Sequence, residues 1–146
     1  MTPEILAPAG SRESLIAAVR CGANAVYFGG KMFNARRNAT NFADDEIAEV
    51  ISYCHKHGVK VYITLNTLIT DKELKDALKE ITLWTNAGVD AFIIQDLGLA
   101  SMVRQVCPSV AMHASTQMSN NICAPLNWSA INRCRECIVY NERYPM

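Results

Sequence analysis

A histidine, two hydroxyls and an amide stand together in His113-Ala114-Ser115-Thr116-Gln117. If that segment is extended, His113 and Ser115 point to one face, because side chains alternate along a strand. An imidazole beside a hydroxyl has the makings of a general base and its nucleophile. Such a pair needs a third group to orient the imidazole, and Asp96, at the end of the preceding apolar run, is the natural choice. The candidate catalytic residues are therefore His113, Ser115 and Asp96. The plainer alternative has His113 lining a polar pocket and acting on no bond.

A second constellation is basic. Lys31, Arg36 and Arg37 follow Gly29-Gly30 with no acid among them. Two missing side chains would let a ligand approach the backbone, and the cations would clamp an anion or a phosphate backbone. A solvated basic loop is the competing reading. Polar residues also collect after each apolar run. Asn34 and Arg36 follow one, Asn66 and Thr67 the next, Gln95 and Asp96 another, and Thr116 and Gln117 close the series. The candidate substrate-binding set is thus Lys31, Asn34, Arg36, Arg37, Asn66, Gln95, Thr116 and Gln117.

Cys134-x-x-Cys137, with Cys123 upstream, has a spacing that can ligate zinc or an iron–sulfur cluster. Without a second pair or a nearby histidine it is a poor site, and no metal is assigned to this chain. Cys21, Cys54 and Cys107 sit in apolar surroundings, where a thiol behaves as a small hydrophobe. His55 and His57 close a helical stretch, a place for capping and dipole interactions rather than catalysis.

These residues must be held by something. Four apolar runs of strand length, Glu4 to Ala9, Ala25 to Gly29, Lys60 to Leu65 and Ala91 to Gln95, read as buried parallel strands, and Val110 to Ala114 as a weaker fifth. Helical spacing fills the gaps. Ser11 to Cys21 carries Leu15, Ala18 and Val19, with Ser11 and Ser14 available as caps. Asp44 to His57 carries Ile47, Val50, Ile51 and Cys54, and Asp71 to Asn86 carries Leu74, Leu78, Ile81 and Leu83. Trp84 and Met102 are placed on helices as core residues. Gly22, Gly58 and Gly88 recur where a helix should stop and a strand start, the spacing of one βα unit.

Strand and helix in strict alternation mean an α/β fold with a parallel sheet. A doubly wound sheet fits the length, but its Gly-rich phosphate fingerprint is missing after the first strand. A TIM-type barrel fits the polar residues collected at strand ends. The expected architecture is accordingly the N-terminal part of a (β/α) barrel, incomplete because 146 residues fall short of the ~250 such a barrel takes. An unclosed barrel leaves an exposed edge, so a homo-oligomer or association through that edge is expected.

Composition narrows the field. Half the residues are apolar, and 14 Lys+Arg balance 14 Asp+Glu. Zero net charge removes any global attraction to nucleic acid or membrane and leaves a local one. No stretch reaches the ~18 apolar residues of a membrane span, and the start lacks a signal-peptide pattern. A cytoplasmic location with reduced thiols is expected.

Several longer motifs carry a resemblance. Pro3-Glu4-Ile5-Leu6-Ala7-Pro8-Ala9-Gly10-Ser11, Gly22-Ala23-Asn24-Ala25-Val26-Tyr27-Phe28-Gly29-Gly30 and Phe33-Asn34-Ala35-Arg36 come first. Gly58 to Thr67, Ala91 to Gly98 and His113 to Met118 follow in order. Together they resemble the opening of the collagenase-like peptidase family, peptidase family U32, from about residue 3 to 118. The resemblance implies a barrel-type region and a bacterial, cytosolic enzyme, first of all a collagenase-like peptidase acting on peptides. The alternative it implies is oxygen-independent hydroxylation of RNA or ubiquinone, or an anion- or RNA-binding fragment without catalysis. Several such relatives hold an iron–sulfur cluster on cysteines further along their chains. Residues 119 to 146 depart from the family pattern. They are expected to form a divergent, cysteine-containing tail on a chain cut short, and Cys123, Cys134 and Cys137 inherit no ligand role.

Overall fold

The computed structural model describes residues 4–34 and 42–117. The elements alternate as β1 (Leu6–Pro8), α1 (Arg12–Arg20), β2 (Ala25–Gly29), α2 (Asp44–Lys56), β3 (Lys60–Leu65), α3 (Asp71–Asn86), β4 (Ala91–Ile94), α4 (Leu97–Val106) and β5 (Ala111–Ala114). All five strands are parallel, and they lie side by side in chain order. A doubly wound sheet reverses its strand order part-way, and the described sheet does not.

Local chemistry explains the elements. Ser11 caps α1, and Ser14 answers it through a 2.9 Å bond from the Ser11 amide. Glu46 and Glu73 reach back to the amides of Ala43 and Thr70 at 2.8 and 3.0 Å, satisfying donors that the first turns of α2 and α3 leave open. Gly22, Gly58 and Gly88 all take positive φ where helix hands over to strand, the conformation glycine adopts without a Cβ penalty.

Alternation along the strands divides the side chains between two faces. Val26, Phe28, Val61, Ile63, Leu65, Phe92, Ile94 and Met112 form one face of the sheet. Every hydrophobic side chain that the four helices bury joins this same cluster, from Leu15 through Ile47, Ile51, Ile81 and Trp84 to Val103. The opposite face carries a separate small cluster of Ala25, Tyr62 and Ala91, flanked by Leu6, Tyr27 and Ile93. The four described helices therefore lie on one side of the sheet, as a consistent crossover hand between sequentially adjacent strands requires.

Three expectations need correction. Leu83 is 51% exposed, because the buried stripe of α3 runs through Ala77, Ile81 and Trp84 and Leu83 lies a rotation away from it. Cys21 is exposed, since it is the C-cap of α1 rather than part of its buried stripe. The space beside Gly29-Gly30 is filled from within the protein. A Cβ on Gly29 would overlap the Asn34 side chain, and one on Gly30 would stand 2.8 Å from the Trp84 ring. Those glycines accommodate neighbouring side chains, not an approaching ligand.

Candidate functional site

Two sets of polar residues are positioned by the sheet. The first lies at the C-terminal ends of the strands. Asn34, after β2, is buried and folded over Gly29, while Lys31 is exposed. Phe33 between them is buried at 2% exposure with φ 58, a left-handed conformation that costs a bulky residue energy. Its ring is anchored in the helix-side core, so core packing sets how the loop begins. Asn66, Thr67 and Gln95 are half-buried at this end, and Thr116 and Gln117 are exposed. Arg36 and Arg37, like Cys123, Cys134 and Cys137 and the whole segment 119–146, lie outside the described residues.

The three candidate catalytic residues each meet a different partner. Asp96 is the N-cap of α4. One carboxylate oxygen accepts the Leu99 amide at 2.8 Å, and the other accepts the Ile69 amide at 3.2 Å from the preceding loop. Ser115 is buried, its hydroxyl accepts the Gln117 amide at 3.3 Å, and its own amide donates to the Ile94 carbonyl at 2.9 Å. His113 is part of β5 itself, and its ring stacks on Tyr62 with centroids 4.9 Å apart. No hydrogen bond links these three side chains among the described residues.

The second set was not singled out from the sequence. Tyr62 donates its hydroxyl to Glu4 at 2.5 Å, and Lys60 donates to the other oxygen of the same carboxylate at 3.0 Å. Glu4 precedes β1, so these bonds cross over β2, a span of roughly 9–10 Å. The β2 residue paired with Lys60 is Ala25, whose short side chain leaves the way clear. On the other side Tyr62 pairs with Ala91, which again leaves room for the tyrosine ring to meet His113. Lys60 and Tyr62 share a face by alternation, a signal the sequence does contain. That Glu4 reaches them depends on register.

Electrostatics follow this arrangement. Burial pushes the His113 pKa below 6.5; the Glu4 charge works against that shift and the Lys60 charge adds to it. For Glu4, burial acts to raise the pKa, but hydrogen bonds from Tyr62 and Lys60 and the Lys60 charge bring it below 4.5. His113 is thus a neutral imidazole at pH 7, and Glu4 is ionised.

His55 and His57 have structural partners. His55 Nε2 lies 2.9 Å from Asp90, whose same oxygen accepts the Val61 amide, and His57 Nδ1 lies 2.9 Å from the Tyr53 carbonyl. No group of three or more His, Cys, Asp or Glu is placed to hold a metal among the described residues. Burial raises the Cys54 thiol to about 11, which disfavours the thiolate a metal needs. Cys21, Cys54 and Cys107, the described thiols, form no grouping that could hold an iron–sulfur cluster. Among the described residues no helix is long and apolar enough to cross a membrane.

Comparison with known proteins places this sheet in a family. The model of peptidase family U32 matches residues 10–142. The chain belongs to peptidase family U32. The match continues well past residue 118, where the motif-by-motif resemblance stops. Among curated relatives, 23S rRNA 5-hydroxycytidine C2501 synthase of Escherichia coli is 45% identical over 78% of this chain and 17% of its own length. The tRNA hydroxylation protein P1 of Bacillus subtilis is 39% identical over 92% of this chain and 31% of its own. A collagenase of Porphyromonas gingivalis is 37% identical over 80% of this chain and 28% of its own. This U32 chain therefore spans less than a third of the length of these relatives.

Proposed function

We propose that this chain belongs to a protein that hydroxylates RNA, and that its sheet is the part on which the nucleic acid is held. The observation that carries this is the 45% identity to an rRNA 5-hydroxycytidine synthase over 78% of the chain. The tRNA hydroxylation protein, similar over 92% of the chain, supports it further. This reading replaces the peptidase as the first choice. The collagenase relative is less similar at 37%, and the aspartate best suited to orient His113 spends both oxygens on backbone amides.

The five described strands are read as part of a (β/α) barrel, since the four described helices pack on one face. RNA would then meet the strand ends through Asn66, Gln95, Thr116 and Gln117, which offer hydrogen bonds, and through the basic loop of Lys31, Arg36 and Arg37. With zero net charge over the chain, attraction to phosphate has to be local to that loop. Peptide cleavage remains the second reading, on the strength of the collagenase relative.

Nucleoside mass spectrometry of tRNA and rRNA from cells lacking the gene tests the proposal. Loss of one hydroxylated nucleoside, restored by the intact gene, is the expected result. An unchanged nucleoside profile together with a lost peptidase activity overturns it in favour of peptide cleavage.

A further inference from the structure

Among the described residues five large apolar side chains are exposed. One alone needs no explanation. Two of them, Met32 at 48% and Leu68 at 73%, stand on neighbouring loops at the C-terminal ends of β2 and β3. These strands pair through Gly29 and Thr64 and lie about 5 Å apart, so the two loops leave the sheet side by side. The Thr64 hydroxyl, donating to the Phe28 carbonyl at 3.1 Å, ties the strands together where the loops begin.

Buried neighbours impose both exposures. Lys31 and Met32 stand out between Gly30, packed on the Trp84 ring, and Phe33, buried with φ 58. A bulky residue in that conformation is strained, and strain of this kind collects at functional sites. Leu68 is held in the same way. Before it, the Leu65 carbonyl accepts the Gln95 amide. After it, the Ile69 amide donates to Asp96 while the Ile69 side chain packs on the core. Anchors on either side thus keep each apolar side chain turned outward.

We propose that Met32 and Leu68 form an apolar platform for one base of single-stranded RNA, with the Lys31 ammonium meeting the adjoining phosphate. The proposal rests on the RNA reading above and deepens it, since that reading uses neither of these two apolar side chains. Leucine and methionine are among the side chains that proteins place against unstacked bases. An unpaired base has an open flat face, which a platform can cover. An apolar peptide side chain is better served by an enclosing pocket. Lys31 favours the nucleotide as well, because residues 29–34 contain this cation and no acid. Loops already fixed before binding lose little freedom when the base arrives.

The test uses the full 146-residue chain and two fluorescein-labelled probes. One is a short unstructured RNA, and the other an abasic strand of the same length, which keeps every phosphate and no base. Fluorescence anisotropy at low and moderate salt follows binding. Met32→Ala and Leu68→Ala should each weaken RNA binding about fourfold to tenfold, as one or two buried methylenes return to water. Neither should change the salt slope or the affinity for the abasic strand. Lys31→Ala should instead flatten the slope by about 0.7 on both probes. Leu68→Phe, which keeps an apolar face, should bind RNA at least as tightly as the parent chain. Both apolar residues are exposed, so thermal unfolding should stay in place, which separates a lost contact from a lost fold. Unchanged RNA affinity in both alanine variants, or an equal loss on the abasic strand, overturns the platform while the RNA reading survives. A folded chain that binds neither probe overturns both. Binding of a labelled apolar peptide in place of RNA, lost in Leu68→Ala, overturns both in favour of the peptide reading.

Discussion

Asn34 occupies the volume that a Cβ on Gly29 would need. The two residues lie at the C-terminal end of β2, where the loop to α2 begins, and Gly29 is paired in register with Thr64. Gly29→Ala should therefore expel the Asn34 side chain and cost about 1–3 kcal/mol, the range for overpacking a filled site. Denaturant unfolding of Gly29→Ala, Asn34→Ala and the double variant checks it. The double variant should be more stable than the sum of the singles implies, because the clash is gone. Strict additivity would refute the contact.

Asp96 ties two loops together by bonding the Ile69 and Leu99 amides. Asp96→Ala should lower stability by about 1–2 kcal/mol, through loss of the α4 cap and of the loop tie. Asp96→Asn, which keeps an acceptor oxygen, should retain much of it. If Asp96 were instead an orienting carboxylate for His113, Asp96→Asn would leave stability alone and alter the His113 titration.

Stability should fall on mild acidification. The folded state holds His113 below 6.5, so the unfolded chain binds more protons just under that pH, and stability rises with pH there. Its contribution is complete above about 6.5 and declines as pH drops through the lower, folded value. Glu4, held below 4.5, adds a second loss as pH falls past that point. Unfolding free energies between pH 7.5 and 3.5 check both, and His113→Asn should remove the first decline and leave the second.

RNA binding, if it runs through the loop of Lys31, Arg36 and Arg37, should weaken as salt rises. Each phosphate contact contributes about 0.9 to the log–log slope on duplex and about 0.7 on single strands. Arg36→Ala with Arg37→Ala should flatten the slope by about 1.4 to 1.8. Fluorescence anisotropy with a labelled tRNA from low to moderate salt gives the number. A salt-independent affinity would discard the clamp.

Alkylation should separate the described cysteines. Cys21 is exposed, whereas Cys54 and Cys107 are buried, and the Cys54 thiol is raised to about 11. Brief iodoacetamide treatment of the native chain at pH 8, followed by peptide mass mapping, should modify Cys21 and spare the other two. Modification of Cys54 under native conditions would contradict its burial.

The residue order by itself determined the alternation of strand and helix. β2, β3 and α3 begin and end where the apolar runs and the closing glycines place them, because those signals act within a few residues along the chain. The family was also legible, since its motifs are contiguous stretches. Tertiary structure alone decided which side chains meet. Glu4 and Tyr62 are 58 residues apart and touch because two sequential crossovers set β1 and β3 either side of β2, with Ala25 small enough to be bridged. Asp96 looked like a partner for His113 by position in sequence, yet the turn into α4 presents two open amides to it first. Gly29 looked like an opening and is a seat for Asn34. In each case the outcome turns on strand register and on competition among neighbours for one polar atom or one small volume, and neither is encoded in the local pattern of residues.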